Sequence, residues 1–110
     1  MTDTIDILAQ AKALLTTMQE AFEQNPTETQ DQLRVQTYLK TTLADLNKAK
    51  KVDNTVLIAL EKFYKSICVL KGLSHLTFDD QTEVAWRAYD RFHTDVVQKE
   101  LSLYGWTATI

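Results

Sequence analysis

The sequence predicts an all-α protein, an antiparallel up-down four-helix bundle with a short C-terminal tail. Three observations predict it. The 110 residues include only two glycines and one proline, where average usage would supply roughly 13 such breakers. Apolar residues recur every three or four positions over long stretches, the period of a helix with one buried face. The links between these stretches are short, which makes sequential helices antiparallel neighbours.

The first helix is expected over about residues 4–24, with Ile5, Leu8, Ala11, Leu15, Met18 and Phe22 forming the stripe and Leu14 and Ala21 widening it. Asn25-Pro26-Thr27-Glu28 interrupts it. Either Asn25 caps the next helix with Pro26 in its first turn, or Thr27 caps it with Gln30 three residues on. The second helix, about 27–50, carries Val35, Leu39, Leu43 and Leu46, with Leu33 and Tyr38 beside them. Lys48, Lys50 and Lys51 close it, as suits the negative end of a helix dipole. Asp53 or Asn54 caps the third helix, about 54–71, whose stripe is Val56, Leu60, Phe63, Ile67 and Leu70, broadened by Leu57, Tyr64 and Cys68. Lys71-Gly72 reads as its stop, with Gly72 free to take the left-handed conformation. Thr77 with Asp80 resembles a capping pair for the fourth helix, about 78–103, marked by Ala85, Ala88 or Tyr89, Phe92 and Val96. Residues 1–104 thus make the bundle and 105–110 the tail. A DNA-binding helix-turn-helix is disfavoured, because the second and third helices are too long and their link lacks a tight glycine turn.

Composition narrows function mainly by exclusion. A net charge of -3 and a pI near 5.3 argue against nucleic acid as a partner. The acidic N-terminus lacks the layout of a signal peptide, and the longest apolar run, Val56 to Leu60, is far short of a membrane span. A cytoplasmic protein is expected, with at most peripheral membrane contact. The single cysteine, Cys68, forms no internal disulfide and reads as a small buried hydrophobe.

No catalytic or metal-binding constellation is evident, and no cofactor is expected. There is no Gly-rich phosphate loop, no Glu-x-x-His motif and no Cys-x-x-Cys pair. Asp90 with His93, and His75 with Asp79, read as surface or capping pairs. The stripes contain no Arg, Lys or Glu at core positions, which disfavours an enzyme with a polar pocket in the bundle. Met18, Phe22, Phe63 and Phe92 read as core, and Trp86 as a helix-helix boundary residue.

Charge is segregated. Residues 1–31 carry six acids and one base, residues 32–71 three acids and eight bases, and residues 72–110 six acids and three bases. Cross-helix complementarity is the plain reading; a basic surface around Lys48, Lys50 and Lys51 for an acidic partner or anionic lipid is the other. Leu103, Tyr104, Trp106 and Ile110 concentrate apolar and aromatic groups around Gly105. They either cover the open end of the bundle or present an interface anchor.

Several of these features together resemble the immunity proteins that protect producers of pediocin-like (class IIa) bacteriocins. The resemblance spans nearly the whole chain as a layout: its size, its four amphipathic helices, Leu14-Leu15, the stretch NTVLIALEKFYKSI from Asn54 to Ile67, the lysine-rich link before it and the glycine-containing tail. It implies a soluble, non-enzymatic four-helix bundle acting inside the producing cell; a monomer is expected. Its partner would be the membrane receptor complex, a mannose-type sugar transporter with bacteriocin engaged, and not free bacteriocin. It places specificity in the C-terminal half, here Leu103, Tyr104, Trp106 and Ile110. A helical adaptor or regulatory module, homodimeric or not, is the alternative from another class.

Overall fold

A computed structural model of the chain describes residues 4–25, 29–50 and 54–103. Helix α1 spans Thr4–Glu23, α2 Gln30–Lys48, α3 Asn54–Leu73 and α4 Asp80–Phe92. A π-helical turn, His93–Val97, joins α4 without a break to α5, Gln98–Leu103. The last three segments form one long fourth helix, and the molecule is an all-α four-helix bundle. No strand occurs among the described residues.

Each helix buries its stripe. Leu8, Ala11, Leu15, Met18 and Phe22 of α1 are buried together with Ile7. They meet Val35, Leu39 and Leu46 of α2 and Val56, Leu57, Leu60, Phe63, Ile67 and Leu70 of α3 in one continuous core. On α2 the stripe departs slightly from expectation. Thr42 is buried, whereas Leu43 is only half-buried against the core edge. Ile5 lies at a position whose side chain is outside the description.

Helix ends are fixed by residues close to, but not at, the expected ones. Thr29, not Asn25 or Thr27, caps α2. Its hydroxyl accepts from the Gln32 N–H at 3.1 Å, and the Gln32 side chain accepts from the Thr29 N–H at 3.0 Å. Thr27-x-x-Gln30 and Thr29-x-x-Gln32 carry the same capping signature, and only the second is used. Thr29→Ala should therefore cost about 0.5–2 kcal/mol, read as a lower denaturation midpoint at unchanged slope.

The α3 stop also moves. The helix runs through Gly72 to Leu73, and the left-handed residue is His75, with φ 59°. Leu70 O accepts from both the Ser74 and Leu76 N–H groups at 3.1 Å, and the buried Leu76 side chain covers the turn. Asp79, not Thr77, caps α4, and its carboxylate accepts from the Thr82 hydroxyl. This bond holds the Asp79 carboxyl below the usual carboxylate range. The expected Asp53 cap of α3 lies outside the described residues.

Candidate functional site

Two pairings fix how the third and fourth helices lie. Lys71 Nζ sits 2.8 Å from Glu83 Oε1, and Glu61 pairs with His93. Ten residues up one helix match ten down the other, so the helices are antiparallel and in constant register. Carried onward, that register sets Val97 level with Leu57 and brings α5 to the start of α3, beside the link that leaves α2. The end of α2, with Lys48 and Lys50, and the end of the last helix therefore share one pole of the bundle. Lys48 and Lys50 are exposed there. With Ala49 they line a groove of about 500 Å³ whose other wall includes Thr55, Val56 and Ala59. Leu103 is the final helical residue. Lys51, Tyr104, Trp106 and Ile110, expected to act here, lie outside the described residues.

At the opposite pole the segregated charges do meet. Glu83 is held by Lys71 and, at 3.3 Å, by Arg87. Lys71 also lies 4.7 Å from the centre of the Phe78 ring, which packs edge-on against Phe22. The Lys71 hydrogen bond, offset in part by desolvation, lowers the Glu83 carboxyl below its ordinary range. A lowered folded-state value means stability that is present above the unfolded value of about 4.3 and is lost as pH falls through the folded value. Glu83→Gln should thus be less stable than wild type near neutrality, with the difference closing below about pH 4; parallel urea titrations at both pH values check it.

Between the poles lies a feature the sequence does not announce. Glu61 and His93 are buried, at 2% and 1% exposure, and hydrogen-bond through Oε1 and Nε2. Glu61 is a charged residue at a core position, and His93 is neither surface nor capping; both correct the sequence reading. Glu61 Oε2 and His93 Nδ1 have no hydrogen-bond partner, although Lys65 Nζ stands 3.7 Å from Oε2. The Tyr64 ring stacks on the imidazole at 3.6 Å and 5°, and on Trp86 at 5.4 Å and 19°. Phe63 meets Trp86 and Tyr89 edge-on, and the Tyr89 hydroxyl donates to Leu60 O at 2.8 Å. Burial pushes the Tyr89 hydroxyl well above its usual range. Burial, and then the Asp90 side chain beside it, does the same to Tyr64. Both phenols stay neutral.

This arrangement is sealed. A buried carboxylate and a buried imidazole covered by the Tyr64 ring cannot reach a substrate, so proximity alone gives them no general acid-base role. Cys68 is exposed, contrary to expectation, because it falls on the outer side of the broad α3 stripe. Partial burial still raises its thiol pKa, which disfavours the nucleophilic thiolate. Among the described residues, no three His, Cys, Asp or Glu side chains gather as a metal site. No helix of the described residues is long and apolar enough to cross a membrane.

The missed pair had one faint signal. Tyr89, His93, Val97 and Leu101 step by four, a spacing that drifts off one face of a regular α-helix by about 40° per step. All four are buried. Such a pattern requires a turn with an extra residue, and the π-turn supplies it. Comparison with protein-family models, with curated proteins and with solved structures returns no match to this chain.

Proposed function

We propose that the chain is an immunity protein that protects the cell producing a pediocin-like bacteriocin, without enzymatic activity. It acts from the cytoplasm by protein-protein contact with the membrane receptor complex, a mannose-type sugar transporter with bacteriocin engaged. The observation that supports this reading most is the shared pole. The register of α3 against the fourth helix gathers the exposed Lys48 and Lys50 and the end of α5 at one end of the bundle. Lys51 and the aromatic segment Tyr104, Trp106 and Ile110 continue from those elements in sequence. A cationic pole whose last helix leads on in sequence to aromatic residues suits a partner presented at an anionic membrane face.

The adaptor alternative loses one of its supports. Of Trp86 and Trp106, either of which a homodimer would be expected to bury, Trp86 is only 5% exposed within its own bundle and Trp106 lies outside the described residues. Expression in a sensitive strain tests the proposal. Survival against at least one pediocin-like bacteriocin is expected; unchanged killing by a broad panel would overturn it.

A further inference from the structure

A groove of about 470 Å³ runs between α2 and α3. The buried Phe63 and the half-buried Tyr38 form its floor. Thr41 and Asp45 stand on the α2 wall, and Ile58 and Lys62 on the α3 wall. It shares Asp45, Thr55 and Ala59 with the hollow that Lys48 and Lys50 line. The two hollows are thus one groove, open at the pole where α2 and α5 end. On α3 its lining runs over residues 55–66, roughly 16 Å or three helical turns. The cations along it lack internal partners. Glu61 is the one acid of α3 and is turned into the core toward His93, so the exposed side of that helix carries cations alone. Lys48, Lys50 and Lys62 are exposed and make no ion pair among the described residues. Asp45 is the only acid in the lining.

We propose that this groove seats an amphipathic helix of a partner protein, its apolar stripe on Tyr38, Ile58 and Phe63 and its flanking acids beside Lys62, Lys48 and Lys50. Charge selects the sign of the partner: three unpaired lysines against one aspartate favour an acidic segment. The floor selects its apolar face. Aromatic rings set below the walls are reached by an inserted side chain, whereas a bilayer surface would meet the lysines and pass over the rings. Backbone chemistry selects the helix. The groove is walled by two helices whose central turns spend their N–H and C=O groups internally. An extended segment laid there would lose water from its own backbone groups and gain no partner, while a helix arrives with those groups already bonded. Seating such a helix is a property of the groove; its part in protection rests on the function proposed above.

Amide NMR titration of the full chain tests the proposal. The probe is a capped peptide of about four helical turns, with Leu along one face, Glu flanking them and Ala elsewhere. Its addition should move the amide signals of Thr41, Thr55, Ala59 and Lys62 along a saturable curve that weakens with added salt. The same peptide with Lys in place of Glu should leave them unmoved. Lys62→Glu sets a like charge beside the acids and should weaken binding about tenfold or more. Thr41→Trp should block the groove. Both positions are exposed, so both variants should melt close to wild type. Absence of saturable shifts, shifts confined to residues outside the groove, or equal binding of the two peptides would overturn the proposal. Binding of phosphatidylglycerol vesicles without binding of the Glu peptide would assign the lysines to lipid and overturn it too. In a sensitive strain, both variants should lose the protection that wild type gives. A wild type that fails to protect would defeat the function proposed above, while the titration would still decide the groove.

Discussion

Replacing His93 with leucine is expected to destabilise the bundle by about 3–5 kcal/mol, because it leaves the Glu61 carboxylate buried without its hydrogen bond. Lys65, 3.7 Å from the other oxygen and itself 40% exposed in its side chain, replaces little of what is lost. In a chain of this size the change lowers Tm by roughly 12–30 °C. The double variant Glu61→Met/His93→Leu should recover most of the loss or exceed wild type, since apolar replacement of a whole buried pair is often neutral or stabilising. A double-mutant cycle by chemical denaturation reads the coupling directly. A single-variant loss under about 1 kcal/mol would mean that the pair contributes little.

Trp86→Ala has a comparable expected effect for a different reason. Its indole is nearly buried and contacts three rings: Phe63 at 6.4 Å, Tyr64 at 5.4 Å and Tyr89 at 6.0 Å between centres. Large-to-alanine changes at such positions cost about 3–5 kcal/mol, from lost transfer energy and the cavity left behind. The consequences extend to the imidazole, because Tyr64 stacks on Trp86 and on His93 and would lose one of its supports. Trp86→Phe retains an aromatic body there and should lose clearly less. Urea unfolding of the two variants separates these outcomes; near-equal midpoints would show that the ring stack relaxes around the gap.

Helix content and antiparallel packing were legible in the sequence because both follow from local information: breaker scarcity, the three-and-four spacing and link length. Cap positions were less legible. Thr27 and Thr29 offer the same capping signature two residues apart, and Gly72 suits a left-handed stop that His75 occupies instead. Such choices depend on where neighbouring helices let the chain turn. Glu61 was hidden for a further reason. Next to Lys62 and four residues before Lys65, it has the appearance of an ordinary solvated acid with a helical ion pair. Its actual partner is 32 residues away, and no local pattern encodes that contact. His93 was hidden by the assumption of a regular 3.6-residue period, under which Val96 takes the inward position that Val97 holds.

The candidate pole shows the same division. That Lys48 and Lys50 belong to a helix end is local, and the sequence places them there. That the end of α5 lies beside them follows only from the register fixed by Lys71–Glu83 and Glu61–His93. Charge segregation likewise acquires meaning through contact: one of the central lysines, Lys71, closes the far pole with Glu83, whereas Lys48 and Lys50 remain exposed at the near one.

The most direct measurement compares the full chain with a chain lacking Gly105–Ile110, each expressed in a strain sensitive to pediocin-like bacteriocins, alongside thermal melts of both purified proteins. A docking role for the tail predicts survival with the full chain, killing with the shortened one, and closely similar melting temperatures for the two. Equal protection by both chains, or killing in both cases, would contradict it.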